Sequence, residues 1–241
     1  MANIRWQGNV SGAWNNAGNW IGGLPADGDT VEFLIADLGV NRCAVGPVNP
    51  VTLISITDDA GYGGGVMPTI CYPNITVTTV SCLSDARLAG GTVETANLSG
   101  ANSAIDGPTI ITTANLTGHG ASVVLGIPSI MTLNLNGTNQ SVPAAALVAT
   151  ANLNGVGAYL WDGVYGTVNM NGSAVQFRPP STATTVYVNS LNAEVSATSI
   201  AAGDITNGPY VRSREAVLYD YDTGEVMCDT NQVLEYAGGR W

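Results

Sequence analysis

The chain contains no lysine; its seven cations are all arginine, set against 18 carboxylates, for a net charge of −11. A field of that sign repels phosphate, which excludes nucleic acid and anionic membrane surfaces as partners. Charge of either sign is scarce, at 10% of residues, where about a quarter is usual. No apolar run approaches the ~20 residues needed to cross a bilayer. The opening MANIRWQGNVSG lacks the basic start and apolar stretch of a secretory signal. The expectation is therefore a chain made in a cytoplasm. Histidine occurs once, as His119 between Gly118 and Gly120. That setting reads as an exposed corner, with neither partner ligands for a metal nor a GxSxG nucleophile signature for acyl transfer. The four cysteines, Cys43, Cys71, Cys82 and Cys228, match no zinc spacing. They read as small buried apolar residues, with a Cys71–Cys82 bridge left open for an oxidising compartment.

What the chain does have is a repeat. TANLSG at Thr95 returns as TANLTG at Thr113, TLNLNG at Thr132, TANLNG at Thr150, TVNMNG at Thr167 and TVYVNS at Thr185. The steps are 18, 19, 18, 17 and 18 residues. Upstream, VTTVSC at Val77, TLISIT at Thr52 and TVEFLI at Thr30 extend the series if the intervening loops are longer. A step of ~18 residues is too short for a pair of packed helices. The second and fourth letters of each copy from Thr95 onward are apolar, the period-two pattern of a strand with one buried face. Gly100, Gly118, Gly137, Gly155 and Gly172 close the strands at one fixed point. Either a positive φ or a corner too tight for a side chain calls for glycine there. Eighteen residues at ~3.3 Å each make a lap of about 60 Å, enough for three short sides. These features predict an all-β fold: a single-stranded parallel β-helix, or β-solenoid, of about 18 residues per coil. Stacking at ~4.8 Å puts Asn97, Asn115, Asn134, Asn152 and Asn169 in one column, where amides can bond along a ladder. A charge at every step of such a column would repel itself, and residues 90–203 hold only Glu94, Asp106, Asp162, Arg178 and Glu194.

The ends differ from the middle. Three regions are expected: residues 1–29 as an N-terminal cap, 30–203 as coils, and 204–241 as a C-terminal hairpin or docking region. Trp6, Trp14 and Trp20 precede the first coil and would lid its apolar end. LPADGDTV reads as a turn leading into the strand at Thr30. After Asp204 charge returns, and AVLYDYDTGEVMCD reads as two strands about a turn at Thr223-Gly224. Tyr236, Arg240 and Trp241 are side chains of the kind that anchor interfaces. The pattern W-x-G…W…NW-x-G-G…P-x-x-G-D-x-V, over about 30 residues, resembles the N-terminal cap of bacterial and phage β-solenoid surface proteins, including autotransporter-like passenger regions. The resemblance implies adhesion, surface coating or virion structure, and brings no catalytic residue with it.

Solenoids often carry glycan-cleaving sites, so paired acids matter. Asp106 and Asp162 sit at similar offsets but three coils, or about 14 Å, apart. A glycosidase pair needs roughly 5–9.5 Å. Glu94 and Glu194 sit on other parts of the coil. GDT and DYDTGE match no calcium loop, and GYGGGV lacks the Lys-Ser/Thr of a phosphate loop. The sequence thus points to no catalytic, metal or cofactor-binding residue and to no cofactor. The expected function is a non-enzymatic bacteriophage virion component: a capsid decoration protein, head fibre or spike. It would be assembled in the host cytoplasm and released by lysis. Expected partners are further copies of the chain, as a trimer, capsid or other virion proteins, and a host-surface glycan. Alternatives are a bacterial cell-surface adhesin or passenger domain, and a glycan-degrading tailspike.

Overall fold

The computed structural model describes residues 1–62, 68–107, 109–125, 128–143, 146–178, 180–189, 193–195, 205–207, 218–220 and 226–228. It is a parallel β-solenoid. Two sheets run its length, one of 12 strands and one of 10, and nearly every pairing within them is parallel. The long strands are Val51–Asp58, Ile75–Cys82, Thr92–Leu98, Ile110–Leu116, Ser129–Leu135, Leu147–Leu153, Val164–Met170 and Thr182–Val188. Each lies on its predecessor in exact register, so that Thr95, Thr113, Thr132, Thr150, Thr167 and Thr185 stack as one column.

Burial explains the strand shape. In Ile110–Leu116 the order is exposed, buried, exposed, half-buried, buried, half-buried, buried. Ile111 and Ala114 both point inward although they are three positions apart, an odd number. The alternation resets at Thr112–Thr113, which marks a corner, and the ladder skips Thr112 there. Each coil therefore has one side before this corner, one after it, and a third made by the short strands. The inward residues Ala96, Leu98, Ala114, Leu116, Leu133, Leu135, Ala151, Leu153, Val168 and Met170 are fully buried. Each larger aliphatic side chain removed from water contributes about 2 kcal/mol.

The first coils stand in a different register from that expected. Thr79 pairs with Thr95, so the copy there begins at Thr79 and not at Val77. Ser55 pairs with Thr79, which moves the preceding copy from Thr52 to Ser55. The copy at Thr30 stands, since Thr30 pairs with Ser55. The cause is the corner: Val77 and Val80 are both buried, three residues apart. Simple alternation cannot tell which of them is the inward-facing second letter of the motif.

The closing glycines meet the second of the two expected reasons. A Cβ on Gly118 would lie 1.9 Å from the Gly100 carbonyl oxygen, and one on Gly155 1.8 Å from that of Gly137. The positive φ falls two residues later, at Gly120, Asn139, Gly157 and Ala174 (φ 70°, 51°, 68° and 52°). One corner is thus crowded and the next is left-handed.

At each end one of the two sheets is closed by an antiparallel strand. Asn3–Trp6 pairs parallel to Thr30–Phe33, and Trp20–Ile21 closes that edge antiparallel. Trp6 and Trp14 each pack edge-on to Trp20, with centroids 4.8 and 4.7 Å away. Their indoles are satisfied: Trp20 Nε1 donates to Trp14 O and Trp6 Nε1 to Asn41 O. At the far end Leu218–Asp220 joins the second sheet in parallel, and Val226–Cys228 pairs with it antiparallel. This is the hairpin expected from the sequence; its turn at Thr223-Gly224, with Tyr236, Arg240 and Trp241, lies outside the described residues. The described edge strands, Trp20–Ile21 and Ile205–Asn207 of one sheet and Thr69–Cys71 and Val226–Cys228 of the other, are only two or three residues long, which leaves little template for another chain.

Candidate functional site

The repeat's own polar residues face outward as two ladders. Asn115 Nδ2 donates to Asn97 Oδ1, and the series continues through Asn134, Asn152 and Asn169 at 2.7–2.9 Å. Two residues along, Asn154 donates to Asn136, Asn171 to Asn154 and Asn189 to Asn171. This second ladder was legible in the fifth letter of each copy and was not expected. Thr117 and Ser99 extend it with a hydroxyl pair at 3.0 Å. These columns present a neutral hydrogen-bonding surface along one side of the solenoid.

Of the four acids between residues 90 and 203, Asp106 and Glu194 are held by separate partners. Asp106 is buried and paired with Arg87 of the preceding coil. Glu194 accepts from Gln176 Nε2 at 2.8 Å. Glu94 and His119 are exposed, and His119 Nδ1 meets Thr138 Oγ1 at 2.7 Å. Asp29 of the GDT triplet accepts backbone N–H groups of Ala2 and Ala26, so it ties the N-terminus to a turn. These bonds hold its carboxyl below the ordinary value. Among the described residues no group of three His, Cys, Asp or Glu side chains is arranged to hold a metal. No described helix is long and apolar enough to cross a membrane.

Cys43, Cys71 and Cys82 are buried free thiols, so the Cys71–Cys82 bridge is not formed. Burial pushes the thiols of Cys43 and Cys71 up to about 12. One buried acid is unexpected. Asp58 stands in the inward column, where Phe33 precedes it and Leu98 pairs with Cys82 further up. Its carboxyl accepts from Leu83 N, Ser84 N and the Ser84 hydroxyl. Burial raises its pKa despite those bonds.

Two surfaces have the form of contact sites. The first is an apolar groove of about 500 Å³ on the long-strand sheet. Ile110, Met131, Leu147 and Val164 project from it into solvent, each about half exposed or more. Ile110, Ser129, Leu147 and Val164 share one column, and Met131 stands beside it. The second is a polar groove of about 550 Å³ lined by Asn139, Gly157, Tyr159, Trp161, Ala174, Gln176 and Arg178. It joins the left-handed corner to the short-strand sheet. Tyr159, Gln176 and Glu194 pair in successive coils. Trp161 and Arg178 stand two residues along on the same face. Leu160 and Phe177 between them point into the core. The Arg178 guanidinium lies 6.0 Å from the Tyr159 ring centre.

Fold and surfaces together define a capped parallel β-solenoid with an amide-laddered side and two contact grooves. Comparison with protein-family models, with curated proteins and with solved structures gives no match to this chain.

Proposed function

We propose that this chain is a non-enzymatic structural component of a bacteriophage particle, a decoration protein, head fibre or spike that projects as a rod. The observation that carries the reading is the pair of amide ladders, from Asn97 to Asn169 and from Asn136 to Asn189, on a stack whose described edge strands are all short. Such a stack is stiffened coil by coil and is shielded from uncontrolled end-to-end growth. That combination suits a part that is mounted at one place and exposed along its length.

The rods assemble as trimers through the apolar groove. Ile110, Met131, Leu147 and Val164 form a strip without charge in a chain of net −11. A second copy can approach closely only where like charge is absent. Parallel packing about a symmetry axis would set the same strip of each copy against its neighbours. A glycan-degrading tailspike is the weaker reading, because Asp106 is committed to Arg87. Immunogold electron microscopy on purified particles from a producing host tests the proposal. Label at regular positions on heads or tails is expected. Label confined to an outer-membrane fraction, with bare particles, would overturn it in favour of a cell-surface adhesin.

A further inference from the structure

We propose that the polar groove between Asn139 and Arg178 is a saccharide-binding site, taking a short neutral oligosaccharide. This inference concerns one groove and holds whether the rod is mounted on a particle or on a cell. Three features on one rigid face support it. The first is a Trp where the repeat does not require one. Trp161 is 50% exposed, while Trp6, Trp14 and Trp20 are buried in the cap. An exposed indole is costly to hydrate and offers a flat apolar face of the kind that covers the C–H face of a pyranose. The second is the set of planar polar groups around it. Asn139, Gln176 and Arg178 line the same groove. An amide offers a donor and an acceptor side by side, and a guanidinium offers a fork of donors. Adjacent sugar hydroxyls need pairs of this kind. The third is preorganisation. Gln176 Nε2 is held by Glu194, which fixes the orientation of the amide. The Arg178 guanidinium is set over the Tyr159 ring, a contact that narrows its freedom.

The charge of the site selects among ligands. Arg178 and Glu194 carry opposite signs on neighbouring coils, so the face has no net demand for an ionic ligand. The chain's net −11 disfavours sulfated or phosphorylated chains and nucleotides. An extended peptide would seek an open sheet edge or a pocket for an apolar anchor. This face is the middle of a sheet whose strands are already paired on both sides. Spacing fits as well: coils repeat at ~4.8 Å, close to the width of one sugar ring. The column Tyr159, Gln176, Glu194 spans two such steps, room for two or three residues of a glycan lying along the axis.

The test uses the full chain and a panel of neutral trisaccharides of glucose, galactose, mannose, rhamnose and N-acetylglucosamine. Binding is read by calorimetry and by tryptophan fluorescence. At least one member should bind with a dissociation constant of about 1 mM or tighter. Trp161→Ala should weaken that binding by about tenfold or more, with an unchanged melting temperature. Asn139→Gly keeps the left-handed corner while removing the amide, and should also weaken binding. No binding by any panel member, or full binding by Trp161→Ala, would overturn the proposal. Neither outcome bears on whether label is found on particles.

Discussion

At the scale of single residues, the fold tolerates exceptions to its own rules where a turn must be held. Asp58 occupies the inward column, yet it holds the N–H groups of Leu83 and Ser84 at the start of the next turn. Its raised pKa means that the folded state keeps the proton more tightly than the unfolded chain does. The resulting stabilisation is full at acid pH. It is lost as pH climbs from the ordinary value of 3.8 through the raised native value. Asp58→Asn keeps an oxygen for both N–H groups and turns an NH2 toward the Ser84 hydroxyl. The variant should therefore melt higher than the native chain at pH 7, with the gap closing toward acid. Asp29 and Asp85 have lowered pKa values, so both proteins should lose stability as pH falls, and that loss cancels in the difference. Melting curves across pH for the two proteins check this. A gap that widens toward acid would refute the assignment.

At the scale of the element, the coil was largely legible and the places where it was not are informative. Period, strand alternation and the Asn97–Asn169 column follow from letters that recur at a fixed step, because each coil templates the next. Register failed at Val77 and Thr52, where a corner inside the strand resets the alternation and Ser81 stands where Asn97 does in the next coil. The polar groove was illegible for the opposite reason. Tyr159, Trp161, Gln176 and Arg178 change from coil to coil, so a search for repetition passes over them. The one available signal was Trp161, the single Trp away from both ends. The ladder itself makes a directional prediction. Asn134 donates to Asn115 and accepts from Asn152. Asn134→Asp keeps the acceptor and loses the donor, so its carboxylate faces the Asn115 carbonyl oxygen. A loss of about 1–3 kcal/mol is expected, recovered in part on acidification as the new carboxyl gains a proton. Denaturant unfolding at two pH values measures it; an unchanged midpoint would mean that the amides are decoration.

At the scale of the whole molecule, the distribution of charge decides how copies can meet. The coils between residues 90 and 203 carry five charges, and the apolar strip carries none. Each added copy nevertheless brings a further −11, which opposes assembly from a distance. Contact and field therefore pull in opposite directions, and salt separates them. Ions screen the long-range repulsion, with a Debye length of about 8 Å at 0.15 M. They leave the burial of Ile110, Met131, Leu147 and Val164 essentially intact. Self-association should thus strengthen as salt rises from low concentration, the reverse of an interface held by ion pairs. Leu147→Glu places a charge in the centre of the strip, removes roughly 2 kcal/mol of burial per contact and adds like-charge repulsion between copies. Sedimentation velocity should then show monomer where the proposal expects a trimer of the native chain, and the variant should fold normally because position 147 is outward-facing and 49% exposed. A native chain that stays monomeric at every salt concentration would remove the strip as the assembly face and leave the masking of these side chains to a different partner.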